Sequence, residues 1–234
     1  MKTILFLLLP FVLASGSGQV PEEVKAEHAK QYPEYHAGVS ILSEAQAGRD
    51  VDRSMEIAPP LYALDPSENL PAYPDPEIRS IACDADAIVV GSPKDAETNL
   101  TVAGDFLFTD YSIAVASVIK APSAESLAAG SRIFVTRPGG ETRLNGHLVR
   151  TGVANFPQLQ VNQQYLLFLR YLPKTKTYKA FRSGTFILPD KGAVSPIDTT
   201  QKLNARSTQN KDAFLDEVRA AASETCSGVT RRLN

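Results

Sequence analysis

Residues 105–121 read DFLFTDYSIAVASVIKA, and this stretch decides the fold. Leu107, Thr109, Tyr111, Ile113 and Val115 fall on alternate positions, the period of a strand with one buried face. The alternation runs for more than a dozen residues, well beyond an ordinary strand. A strand of that length can bend around a small barrel.

The flanking sequence agrees. AIVVGS at 87–92 is a short apolar run of the buried type, and the β signals begin at Ile78. SAESLAAGS at 123–131 reads as one or two helical turns, with Ser123 or Ser126 as cap and Gly130 as stop. RIFVTR, the turn PGG, ETRL, the turn NG and HLVRTG follow, and YLLFLRYL, TYKAF and GTFILP supply further strands. Asn145-Gly146 between alternating residues is the strongest hairpin signal in the chain. Pro138 and Gly139 fit the centre of a type II turn, which needs a positive φ at the glycine. Many short strands and one long one predict a mainly β protein, with a small closed OB-like barrel over 78–198.

A C-terminal helix should dock on that barrel from the segment 199–234. Phe214, Val218, Ala221 and Ala222 form its apolar stripe, Asn210 is a good N-cap and Gly228 a plausible stop. At the other end, residues 1–16 have the layout of a secretory signal peptide: Lys2, an apolar stretch from Ile4 to Ala14, then small residues. That stretch is too short to span a membrane, so the expected product is exported, secreted or periplasmic, with no transmembrane segment after cleavage.

Residues 17–77 read as an acidic extension, helical and polar to about Arg53 and then proline-rich, with prolines at 59, 60, 66, 71, 74 and 76. Leu61, Tyr62, Leu64, Leu70 and Tyr73 suit a strap laid over the domain better than a free linker. The formal net charge is only −2, but it is unevenly spread. Residues 20–110 carry 18 acidic and 6 basic side chains, whereas 142–189 carry 7 basic ones and no acid. Such asymmetry suggests an anion-facing surface or two parts that attract each other.

There are two cysteines, Cys83 just ahead of the first strand and Cys226 at the end of the last helix. In an exported chain they are most simply one disulfide. A metal site is disfavoured, because neither cysteine spacing nor His28, His36 and His147 show a ligand motif, and no cofactor is implied.

Taken together, CDADAIVVGS, DYSIAVASVIKA, RIFVTRPGG, YLLFLR and GTFIL resemble the netrin-like or metalloprotease-inhibitor-like OB-fold barrels, as found in exported bacterial proteins. The resemblance covers residues 80–190 and implies the barrel. Inhibitors of that type use a cysteine at the mature N-terminus; Cys83 lies far inside this chain, so no functional residue is carried over.

The most suggestive surface is RYLPKTKTYKAFR, where Arg170, Lys174, Lys176, Lys179 and Arg182 are interleaved with Tyr171, Tyr178 and Phe181. Basic groups beside aromatics hold anionic polymers by charge and stacking on OB-type barrels. The same lysines could simply guard an edge strand, or the acidic extension could fold over them. Asp84 and Asp86 lack calcium-loop chemistry, Asn99-Leu100-Thr101 marks a surface loop as a glycosylation acceptor, and His147 reads as an exposed hairpin side chain. No nucleophile motif is present and no catalytic residue is assigned. The expected function is non-enzymatic binding of a protein or an anionic polymer, with nucleic acid disfavoured; a secreted hydrolase is the alternative.

Overall fold

The computed structural model describes residues 19–33, 35, 40–55, 78–153, 156–191, 193–197 and 210–224. Residues 1–16, expected to be a signal peptide, the proline-rich stretch, Cys226 and Gly228 lie outside these residues.

The protein is mainly β. Its helices are α1 (Glu22–His28), α2 (Ile41–Gln46), α3 (Ile78–Asp84) and α4 (Lys211–Ser223). Its strands are β1 (Val51–Met55), β2 (Ala87–Leu100), β3 (Leu107–Lys120), β4 (Arg132–Pro138), β5 (Gly140–Leu144), β6 (His147–Val153), β7 (Tyr165–Leu172), β8 (Thr177–Ile187) and β9 (Ser195–Pro196).

Six strands hydrogen-bond in the order β4-β3-β2-β7-β8-β9. In addition β4 pairs with β8 in parallel, Val135 with Tyr178 and Thr136 with Lys179. The long β2–β3 ladder shifts register at Ile88/Val89, Val90/Gly91 and Pro93/Asp95, and such irregularities bend a strand pair. Gly91 sits at one of them because a Cβ there would lie 2.6 Å from Ile113 Cγ2 and 2.9 Å from the Ala114 carbonyl. A second sheet, β1-β6-β5, has β1 parallel to β6. Its β5–β6 turn is the predicted Asn145-Gly146, both at positive φ (52° and 85°), as a two-residue hairpin requires. Gly139 likewise has φ 83°.

Three apolar regions hold these parts together. Tyr111, Ile113, Val115, Val89, Val135, Leu167, Leu169 and Tyr178 fill the space between the main strands. On the other face of β2 and β7, Ile88, Val90, Leu166 and Phe168 pack against α3 and α4, through Ile78, Ile81, Phe214 and Val218. Burial on both faces explains why AIVVGS and YLLFLRYL read as continuous apolar runs. Ile41, Ala45 and Val51 join Leu107 and Val149 in a third, smaller region.

The helix α4 matches its expected stripe, and Asn210 Oδ1 accepts a hydrogen bond from Asp212 N at 2.8 Å. Three local expectations are corrected. Residues 121–131 form turns and no helix: the segment offers one large apolar residue, Leu127, too little to dock so short a helix. Ile78–Asp84 is a helix where β was expected, since Ile78, Ile81 and Ala82 are needed against α4. Val51–Met55 is a strand because β6 supplies a partner that the sequence alone does not announce.

Candidate functional site

The first described segment, residues 19–35, is laid across β3, β4 and β8. Pro21 precedes α1 with φ −58°, and Glu22 and Glu23 stand in its first turn, where the positive helix end favours acid. Val24, His28 and Tyr32 follow at four-residue spacing and are 5%, 0% and 2% exposed. They are the side chains this arm presents to the main sheet.

Opposite them lies the face of β3 that the alternation leaves to solvent. Tyr111 and Ile113 point into the interior, so Phe108, Asp110 and Ser112 point away from it; all three are nevertheless fully buried. His28 Nδ1 lies 2.7 Å from Asp110 Oδ1, and His28 Nε2 lies 2.6 Å from Thr177 Oγ1. A carboxylate only accepts, so Nδ1 carries the proton facing Asp110. Tyr32 donates to Thr136 Oγ1 at 3.1 Å and stacks on Phe108, ring centroids 5.9 Å apart. Tyr35 stacks on Phe106 at 4.9 Å with the planes 14° apart.

Ion pairs frame the interface. Lys25 meets Glu97 of β2, and that bond holds its pKa above the usual lysine value. Glu27 is held below the usual carboxylate range by Lys30 of the arm and, after it, by Lys174 of the β7–β8 turn. The arm thus brings one cation to a carboxylate of β2 and one carboxylate to a cation of the β7–β8 turn. The following residues continue the contact, since Leu42 N donates to the Gly104 carbonyl at 3.3 Å.

Two buried polar atoms on this face of β3 lack a partner. Asp110 Oδ2 and Ser112 Oγ are buried and make no hydrogen bond. Each buried group left so costs about 1–3 kcal/mol.

The basic hairpin candidates stand in different settings, with Arg170 and Lys179 opposite each other across β7 and β8. Lys174 pairs with Glu27, and Lys179 lies over the Tyr32 ring at 4.6 Å from its centroid. Lys176 is exposed in the β7–β8 turn with φ 55°; Arg170 and Tyr171 are half-buried. Tyr178 is turned inward, 1% exposed, with its hydroxyl unpaired and its pKa raised by burial. The Arg182 and Phe181 side chains lie outside what is described.

Other candidates have structural partners. Asp86 Oδ2 accepts from Tyr171 N at 2.9 Å, while Asp84 ends α3. Asn99 and Leu100 finish β2 and not a loop, and Thr101 is buried against Asp105. His147 lies 3.3 Å from Asp50 on the hairpin, with no hydroxyl nucleophile bonded to it. Cys83 is buried, and no cysteine among the described residues is a free thiol. No group of three or more metal-binding side chains gathers among the described residues.

Thr177, His28 and Asp110 have the connectivity of a nucleophile, a base and its orienting carboxylate. Thr177 is 2% exposed, however, and the base is carried on the element that covers it. As placed, the relay fastens the arm and offers a substrate no approach. The residues that matter here were missed in the sequence, although Phe106 and Phe108 on a supposedly wet face and the Val24-His28-Tyr32 spacing were visible signals.

No protein-family model matches the chain, and no curated protein matches it. Among the described residues no helix is long and apolar enough to cross a membrane.

Proposed function

We propose that this chain is an exported, non-enzymatic binding protein built on a closed OB-like barrel. The reading takes β2, β3, β4, β7 and β8 as the five barrel strands, the parallel β4–β8 pairing being the closure. Its binding face is then the outer surface of β3 and β4, between the loops 101–106 and 173–176. OB barrels bind ligands on the face of their second and third strands beside the corresponding loops.

The observation that carries the reading is the arm itself: a peptide segment already sits on that face through His28, Tyr32 and Glu27. A protein partner is favoured over an anionic polymer, because the carboxylates of Glu97 and Asp110 share the face. The netrin-like resemblance supports the barrel and export, not protease inhibition.

The test compares the native chain with a Tyr32→Ala chain, whose arm is loosened, on an array of short peptides and on heparin as salt is raised. Peptide capture that increases on loosening supports the proposal. Heparin binding that falls steeply with salt would assign the site to an anionic polymer. Binding of neither would end the binding reading.

A further inference from the structure

We infer that the covered face is a peptide-reading groove whose preferred partner segment carries arginine where the arm carries His28. This rests on the proposal that the face under the arm is the binding site. The groove's requirements are written in what fills it. An apolar side chain enters first, at Val24; four residues on, a nitrogen donor faces Asp110; four further on, an aromatic ring covers Phe108 and reaches Thr136.

The arm meets the middle requirement only partly. Its imidazole presents one nitrogen to Asp110 Oδ1 and turns the other to Thr177, so Asp110 Oδ2 stays buried without a hydrogen bond. A guanidinium has two parallel N–H groups that match both oxygens of one carboxylate, and its remaining N–H groups can reach the Thr177 hydroxyl. Lysine is a point charge and cannot bridge the two oxygens in that way. Glu97 at the edge of the face, already paired with Lys25, adds to the preference for a basic segment. A nucleic acid or other polyanion would bring phosphate-like charge towards both carboxylates.

The arm is therefore a built-in, second-best occupant. An outside segment must displace it, and the Asp110 oxygen it leaves unbonded is what a better partner recovers.

The experiment uses the full chain carrying Tyr32→Ala and three fluorescent peptides of residues 19–35: native, His28→Arg and His28→Lys. Anisotropy titrations are expected to place the arginine peptide at least tenfold tighter than the native one, with lysine between them. Asp110→Asn in the same chain should remove the arginine advantage. Should Asp110→Asn fail to fold, the arginine-to-lysine ratio on the unchanged barrel carries the decision. Equal or weaker binding of the arginine peptide overturns the inference. So does failure of all three peptides to bind; if the loosened chain still captures other peptides, the binding proposal survives and only the groove's specificity is wrong.

Discussion

His28 and Asp110 are 82 positions apart in the chain and 2.7 Å apart in space, both with side chains fully removed from solvent. The pair is the point at which the arm is fastened to β3, and through Thr177 the same imidazole reaches β8. Replacing His28 with alanine strands the buried Asp110 carboxylate, at about 1–3 kcal/mol for a group left without its partner, while Thr177 keeps its hydrogen bond to Thr175. His28→Ala should lower Tm by several degrees and make residues 19–35 the first site of limited proteolysis. An unchanged Tm with full protection of the arm would show that the bond does not hold it.

Alkaline pH should unfold the chain through its buried phenols. Burial holds Tyr32 and Tyr178 above the ordinary tyrosine range and pushes Tyr111 up to about 12. The unfolded chain loses these protons near pH 10, so between about 10 and 12 the folded state binds more protons and stability falls as pH rises. Tyr32→Phe removes one such group and should flatten the slope. Absorbance at alkaline pH is expected to show a fraction of the eight tyrosines ionising only together with loss of structure. Free titration of all of them in a still-folded chain would contradict the burial.

Much of this architecture was readable because local chemistry specified it. Asn145-Gly146 demanded a tight hairpin, and the stripe through Phe214 and Val218 demanded a helix with a partner. What the sequence could not give was the occupant of the second face of β3. Phe108, Asp110 and Ser112 look solvent-facing by alternation, and only a segment some eighty residues upstream makes them buried. The basic hairpin was visible as composition, yet β-strand parity turned Tyr178 inward and the arm took Lys174 and Lys179.

Docking of α4 should be worth a large share of the fold's stability. Phe214 is fully buried, with its ring centroid 4.9 Å from that of Phe186. Phe214→Ala removes most of that side chain and leaves a cavity, costing about 3–5 kcal/mol. Chemical denaturation should show the midpoint falling with the slope retained. A loss below about 1 kcal/mol would mean that α4 is not an integral part of the core.

Two glycines with positive φ should respond very differently to alanine. At Gly140 a Cβ would lie 2.3 Å from Thr109 Oγ1 and 2.6 Å from Thr98 Cγ2, whereas at Gly146 nothing lies within 4 Å. Gly140→Ala must push apart the β2–β3 ladder where Thr98 faces Thr109, and is expected to depress Tm sharply. Gly146→Ala meets only backbone strain of about 1–2 kcal/mol. Equal effects at the two sites would remove the steric argument.

The fate of Cys83 follows from the contact between α3 and α4. Arg79, one turn before Cys83 on α3, pairs with Glu224 at 2.7 Å, and Cys226 is two residues further along the chain. Cys83 itself is buried and is not a free thiol. A Cys83–Cys226 bridge would close most of the strands and the terminal helix into one loop, which is worth about 2–5 kcal/mol. Peptide mapping without reductant is expected to recover the two cysteines in one cross-linked peptide. Cys226→Ser should lower stability by that amount in oxidising buffer and by nothing in reductant, because the bridge is already open there. Recovery of both cysteines as free thiols from protein purified without reductant would overturn the assignment and leave α4 held by its non-covalent contacts, Phe214, Leu215, Val218 and Ala221 in the core and the Arg79–Glu224 pair among them.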